Sequence, residues 1–392
     1  MARLLFISHD SSRSGAALQL RDMLRWLRTN TKHDITTVLQ RDGVLVSEFE
    51  EFGPVLRVFS PPVPSLAARA IRKLLHRQPP SALGWAFGQL RTLPRFDLLY
   101  ANTIAAGVAM GELRSLAHRT ISHIHEMPTF ISSFDPRAIE AVRRHAHHVL
   151  VPSSVAANGL CTVHGLARDR ITVVPASVAD PARADLAGGA RGRVVRDAAG
   201  LPADAWVVGV CGTGAFLKGS DLLPRLAKSL PESVAGRPVH LVHVGHFNTA
   251  LDRLLVERDA RLIGVTHRLH LLGPTDDPAA SMNGFDVHLL PSREESFGLV
   301  VLEAAALGIP SICFDLASGA ADFCRDGAGV IVPYLSVEDM AAAARLLLDD
   351  SAQRTRTGAA ARDRWWRDHR SEATLPAWQE LVEAELGADN RP

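Results

Sequence analysis

Residues Asp286–Asp315 read DVHLLPSREESFGLVVLEAAALGIPSICFD. The apolar run to Leu290 is a buried strand, GLVVLEAAALG has the length and composition of a helix, and Ile309 to Phe314 opens the next strand. Ser292 to Ser296 is therefore a strand-to-helix loop. Backbone N–H groups at such a helix start bind anions, and the helix dipole reinforces them. Glu295 stands just before the helix and Glu303 follows about two turns later, so both carboxylates address one ligand from neighbouring positions. A carboxylate accepts paired hydrogen bonds from vicinal hydroxyls, which suits a polyhydroxylated ligand. Glu303 alone also reads as an ordinary surface residue, but Val300, Val301, Leu302, Ala304 and Ala305 beside it leave little room for a solvated face.

The same strand and helix rhythm extends outward from this stretch. The second half contains VVGVCG, HLVHVG, HRLHLLG and GVIVP, and the first half contains RLLFIS, DLLYAN, HVLVPS and ITVVPAS, each followed by a loop or helix. Such alternation indicates βαβ units and parallel sheets. Around Ala179 the pattern gives way to PARADLAGGARGR, a junction rich in Ala, Gly and Arg. A chain of 392 residues fits two domains of roughly 150 to 200 residues each. The expectation is an α/β protein with doubly wound, Rossmann-like domains at 1–180 and 185–366, and a helical tail whose residues 367–392 pack back on the first domain. Trp365, Trp366 and Trp378 in that tail read as packing anchors. Ligands of open parallel sheets bind beyond the carboxyl ends of the strands, so two facing sheets place the site in the cleft between them.

Composition removes several function classes. A formal net charge of +1 argues against bulk electrostatic capture of nucleic acid. MARLLFISHD reads as a first buried strand, too short in its apolar part for a signal peptide, and no apolar run reaches the roughly 18 residues that span a bilayer. Cys161, Cys211, Cys313 and Cys324 have no CxxC spacing, which fits reduced core residues of a cytoplasmic protein. HEMPTF lacks the second His of HExxH, and His240 and His246 share one strand face while His243 takes the other, so no metal site is expected. RRHAHHVL is a basic helix end meeting a strand.

The stretch Glu295-Ser-Phe-Gly-Leu-Val-Val-Leu-Glu303-Ala, followed by Gly308-Ile-Pro310, resembles the EX7E signature of the retaining GT-B glycosyltransferases of family 4. Ser318-Gly-Ala-Ala-Asp322 matches the family's Gly-rich turn, with Asp322 where Glu is usual. GVCGTGAFLKGSDLL, HLVHVG and HLLGP follow the family's order. The resemblance implies a GT-B fold and transfer of a sugar from a nucleotide-sugar donor, such as a UDP- or GDP-sugar, with no further cofactor. It assigns Glu295 to the sugar hydroxyls, Glu303 to the ribose, and Lys218 with the Ser296, Phe297, Gly298 and Leu299 segment to the leaving diphosphate. A lysine ammonium with turn amides holds phosphate well. GVCGTGAFLKG is neither GxGxxG nor a P-loop, since Lys218 precedes Gly219. The family's second cation, an Arg, is replaced here by Thr213, and Arg293 is the residue placed to compensate.

The first half resembles the family more weakly. Gly15 lies where the family has a glycine-rich loop after its first strand, and the segment reads equally as a helix-entry turn. RTISHIHEMPTF ends its strand at His125-Glu126, and His125 matches the family histidine close to the transferred sugar. SLAARAIRKLLHR (65–77) patterns as a basic amphipathic helix. Resting on an anionic membrane, it implies a lipid-linked acceptor and a peripheral position on the inner membrane face; packed on the domain, it is a surface helix. Competing readings on the same architecture are a sugar-nucleotide epimerase, a glycan phosphorylase, and a non-catalytic binder of nucleotide sugars suggested by Thr213.

Overall fold

The computed structural model describes residues 1–59, 82–181 and 193–388. The chain divides into two compact units, one comprising Met1–Pro152, Ala156–Val174 and the chain from Leu375 onward, the other Ser153–Val155 and Pro175–Thr374. Segment 65–77, the basic amphipathic stretch, lies outside the described residues.

In the first unit, β1 (Arg3–Ser8), β2 (Asp34–Leu39), β3 (Val55–Arg57), β4 (Phe96–Asn102), β5 (Ala117–His123), β6 (His148–Val151) and β7 (Ile171–Val173) form a parallel sheet in the order β3-β2-β1-β4-β5-β6-β7. The order reverses between β1 and β4, where Ser8 pairs with Asn102 at the carboxyl ends. These strands are almost wholly apolar because helices cover both faces of a parallel sheet. The helix Gly15–Asn30 shows the sequence logic. Ser14 caps it by accepting the N–H of Ala17, and Ala17, Leu20, Leu24 and Leu27 recur at helical spacing on its buried face.

The second unit repeats the plan with β8 (Trp206–Cys211), β9 (Ser233–Val234), β10 (Arg237–Val244), β11 (Leu269–Leu272), β12 (Val287–Leu290), β13 (Ser311–Phe314) and β14 (Val330–Val332). Their order is β11-β10-β8-β12-β13-β14, with the short β9 antiparallel to β10. The reversal here falls between β8 and β12. A reversal splays the loops on either side of it apart, and the resulting crevice at the carboxyl ends is where open α/β sheets bind ligands.

The tail is two helices, Ser351–Asp368 and Ser371–Gly387. Trp365 is fully buried against Val301, Leu302 and Phe297 of the second unit, whereas Leu375, Trp378 and Val382 complete the core of the first around Leu4, Phe6 and Tyr100. Polar anchors reinforce the latter: Trp26 Nε1 donates to Gln379 at 2.8 Å, and Glu385 accepts from Arg119 at 2.7 Å. Trp366 departs from the expected anchoring role. It is 49% exposed and stacks with the Arg370 guanidinium, 4.1 Å from its ring centroid. No described helix is long and apolar enough to cross a membrane. Because Trp378 is wholly buried, Trp378→Ala is expected to cost about 3–5 kcal/mol, whereas Trp366→Ala costs under about 1 kcal/mol, both measurable by denaturant or thermal unfolding.

Candidate functional site

Two loops flank the reversal of the second sheet. The loop after β8 crosses Gly212 and Thr213 to a single 3-10 turn, Phe216–Lys218, and Gly219 then starts a second turn leading into the helix Leu223–Ser229. Gly219 has φ +71°, and a Cβ there would come within 2.0 Å of the Pro291 carbonyl oxygen. Only glycine lets this turn approach the loop after β12 so closely. That second loop, from Pro291 to Gly298, is pinned from both sides: Arg293 N–H donates to Leu217 O at 2.8 Å, and Glu295 N–H donates to Ala317 O at 2.9 Å.

These fixings bring Lys218 and Glu295 together. Their side chains form an ion pair, Lys218 Nζ to Glu295 Oε2, and Ser292 Oγ lies 3.5 Å from the same oxygen. Lys218 is more exposed than Glu295, at 41% against 15% of the side chain, so the ammonium is the partner presented to solvent. Beyond it, Gly298 (φ +91°) begins the helix Leu299–Ala306 with no side-chain cap. Val301 N–H bonds to Gly298 O at 2.9 Å, and the N–H groups ahead of it belong to the donors that a helix start leaves without intrahelical partners. Phe297 is buried against His369, ring centroids 5.3 Å apart, and Ser153 Oγ donates to Ser296 O at 2.6 Å. The Ser318 hydroxyl, on the residue that bridges Glu295, is buried with no hydrogen-bond partner among the described residues.

Two expectations need correction. Glu303 is not two turns beyond the helix start but little more than one, because the helix begins only at Leu299, and Glu295, in the preceding loop as expected, forms a β-bridge with Ser318. The carboxylates therefore reach the crevice by different routes, Glu295 onto Lys218 and Glu303 from the helix toward the end of β8. Burial raises Glu303 above the ordinary carboxyl range, and its charge joins burial in pushing the Cys211 thiol up to about 12. Arg293 is also not a spare cation. Its guanidinium donates to both carboxylate oxygens of Asp221 at 2.6 and 2.8 Å and to Phe216 O at 2.8 Å, and lies 4.0 Å from the Phe216 ring centroid. It braces the Lys218 turn.

The first unit builds a polar cluster at its own reversal. β5 ends at His123, two residues short of His125, and the extra residues carry His125 beside the end of β4. His125 Nε2 lies 2.8 Å from Asn102 Oδ1, and Asn102 Nδ2 donates to Ala16 O at 3.0 Å. Glu126 accepts the N–H groups of Ile104 and His125, each at 3.0 Å. Burial, with the nearby His9 charge, depresses His125 to about 3, so it is neutral at physiological pH; burial raises Glu126. Thr103 adopts φ +76°, held by its N–H to His123 O and by a 3.1 Å contact between its hydroxyl and His9 Nδ1. Strain of this kind persists where surrounding bonds over-determine it. Gly15 is already the first helical residue behind the Ser14 cap.

Sequence reading named His125 but missed Asn102, Glu126, Thr103 and His9. The available signals were the polar Asn-Thr closing the apolar DLLYAN run and the His-Asp following β1. Of the three β10-region histidines, His240 pairs with His270 at 3.0 Å and His243 is buried. No group of three or more metal-ligating side chains occurs among the described residues.

Two doubly wound sheets, each with its polar residues at the carboxyl side of a strand-order reversal, define a GT-B protein. Anabaena HepE in complex with UDP-glucose matches with a TM-score of 0.81 at 19% identity, covering 98% of this chain and 100% of that one. A sucrose-phosphate synthase of Thermosynechococcus elongatus matches at 0.79 and 19%, covering 99% and 100%. Residues 194–364 match the family Glycosyl transferases group 1, and residues 14–177 match the Glycosyl transferase 4-like domain. The chain belongs to the group 1 glycosyltransferases. A D-inositol 3-phosphate glycosyltransferase of Kineococcus radiotolerans is 31% identical over 261 residues, covering 59% of this chain and 57% of the relative. One of the same name from Nocardia farcinica is 33% identical over 222 residues, covering 54% and 47%. The chain spans about half the length of the curated relatives it matches.

Two outcomes are expected from this geometry. Gly219→Ala forces a side chain into a left-handed turn against the Pro291 carbonyl and is expected to destabilise the second unit by about 1–3 kcal/mol, read as a lowered melting temperature. Glu303 carries a raised folded-state pKa, so the folded chain binds more protons than the unfolded chain just above the ordinary value of 4.5, and stability falls as pH rises through the folded pKa. Glu303→Gln is therefore expected to gain stability relative to the native chain as pH rises above that value, in paired melting curves from acid to neutral pH.

Proposed function

We propose that this protein is a retaining glycosyltransferase that moves a sugar from a nucleotide-sugar donor to an acceptor hydroxyl. The observation that carries the reading is the Lys218–Glu295 ion pair at the reversal of the second sheet. A cation and a sugar-binding carboxylate neutralise one another here, beside uncapped helix N–H groups. A donor diphosphate would replace Glu295 as the partner of Lys218, and the released carboxylate would accept bonds from vicinal sugar hydroxyls. Glu303 is assigned to the ribose, and the backbone N–H groups of Ser296 to Leu299 to the diphosphate. His125 of the first unit is assigned a sugar hydroxyl. UDP-glucose bound by HepE supports a nucleotide-sugar donor.

In the proposed reaction the bond between the sugar C1 and the diphosphate oxygen breaks as the acceptor oxygen bonds to C1 from the same face. The acceptor proton passes to the departing diphosphate oxygen. Lys218 and the loop amides stabilise the charge that develops there. The acceptor is assigned as a glycan or lipid-linked hydroxyl in glycan, polysaccharide or glycolipid synthesis, and the names of the sequence relatives add phosphorylated inositol to the compounds worth testing. Four free cysteines support a cytoplasmic setting.

The test is transfer from UDP- and GDP-sugars to a panel of such acceptors, with the product anomer assigned by NMR. Lys218→Ala is expected to lower kcat/KM at least about tenfold, since a charge-assisted contact contributes about 1.5–3 kcal/mol; unchanged transfer contradicts the assignment. Because Asp221 engages Arg293, Thr213→Arg is expected to tighten donor binding by about tenfold or more on the same scale. Donor binding without turnover in both the native chain and Thr213→Arg would support a non-catalytic binder instead.

A further inference from the structure

The hydrogen-bond partners of His125 fix where its proton lies. A carbonyl oxygen can only accept, so the contact of Asn102 with Ala16 O at 3.0 Å must be made by the Asn102 amide nitrogen. The reverse orientation sets two acceptor oxygens against each other. Asn102 Oδ1 therefore faces His125 Nε2 at 2.8 Å, and that nitrogen must carry the hydrogen. His125 Nδ1 is left as an unprotonated acceptor with no hydrogen-bond partner among the described residues.

A second chain of bonds anchors the neighbouring histidine. Trp378 Nε1–H can only donate, and it does so to the Tyr100 hydroxyl at 3.0 Å. The Tyr100 hydroxyl in turn lies 2.7 Å from His123 Nδ1 and 3.9 Å from Met23 Sδ. The His123 ring lies 4.0 Å from that of His125, and burial holds His123 well below its usual pKa, so an uncharged ring backs His125. Asn102 and His123 are themselves buried, which leaves neither free to turn over to a different partner. His125 is only partly buried, so its remaining nitrogen is the side of the ring open to a ligand.

We propose that Asn102 is a positioning residue that holds His125 as the Nε2–H tautomer, presenting Nδ1 as a hydrogen-bond acceptor to a hydroxyl of the transferred sugar. The sugar half of this statement rests on the function proposed above; the tautomer half does not. His125 in this form neither delivers a proton nor brings positive charge to the sugar. It selects a donor sugar that presents a hydroxyl hydrogen at that point, and a deoxy sugar lacking it leaves Nδ1 unpartnered.

The experiment is a long-range 1H–15N correlation spectrum of the full chain labelled with 15N-histidine at neutral pH, assigned through His125→Gln. The expected pattern is a protonated Nε2 and an unprotonated Nδ1 for His125 in the native protein. Asn102→Leu, which removes the acceptor, is expected to lose that single pattern for a mixture of tautomers, and Asn102→Asp, which keeps an acceptor oxygen, to retain it. A native Nδ1–H tautomer, or an unchanged pattern in Asn102→Leu, overturns the proposal. Should the Leu variant not fold, the native and Asp spectra still decide. With the best donor, Asn102→Leu is expected to lower kcat by at least about tenfold, the scale on which misplacing one group acts, with Asp restoring part of the loss. A lost tautomer pattern with full turnover overturns the sugar contact alone. A chain that shows the expected tautomer but transfers no sugar refutes the proposed function and leaves the tautomer assignment standing.

Discussion

The Lys218–Glu295 ion pair is the interaction around which the second unit's site is organised. It forms because two loops that follow non-consecutive strands are forced together at one place. Gly219 permits backbone contact with the Pro291 carbonyl, and the Arg293 guanidinium ties the Lys218 turn to Asp221. The pair is partly exposed, so its own net contribution to stability is small. Its importance is chemical. It keeps an ammonium ready for an anion and a carboxylate ready for hydroxyls while each satisfies the other.

Both units solve the same problem in the same way. Where strand order reverses, the loops diverge and polar side chains can gather over an otherwise apolar sheet. The second unit places charges there, as suits a charged ligand. The first buries neutral hydrogen-bonding groups there, Tyr100, Asn102, His123 and His125, with Glu126 tying down the backbone and the His9–Asp10 pair beside them. Burial keeps His123 and His125 uncharged. The C-terminal helix takes part in this arrangement, since Trp378 both fills the first unit's core and donates to the Tyr100 hydroxyl.

Much of this was legible in the chain. Alternating apolar strands and helices gave two doubly wound sheets, and the stretch from Asp286 to Asp315 gave the strand, loop and helix that carry Glu295 and Glu303. Glu303 lies nearer the helix start than expected, because the helix begins only at Leu299, and the β-bridge between Glu295 and Ser318 joins residues far apart in sequence and leaves no periodic trace. The pairing of Arg293 with Asp221 was hidden for a related reason: another loop supplies the partner. The Asn102–His125 contact was invisible because strand pairing, rather than any local motif, sets β4 beside β5. Trp366 looked like its neighbour Trp365 until helical rotation turned one into the core and the other toward solvent.

The measurement that tests this account most directly is a crystal structure of the chain with an intact nucleotide sugar bound. The diphosphate is expected against Lys218 Nζ and the first N–H groups of the helix Leu299–Ala306, with Glu295 released from Lys218 onto the sugar hydroxyls. A diphosphate held elsewhere, with the Lys218–Glu295 pair still closed, would contradict it.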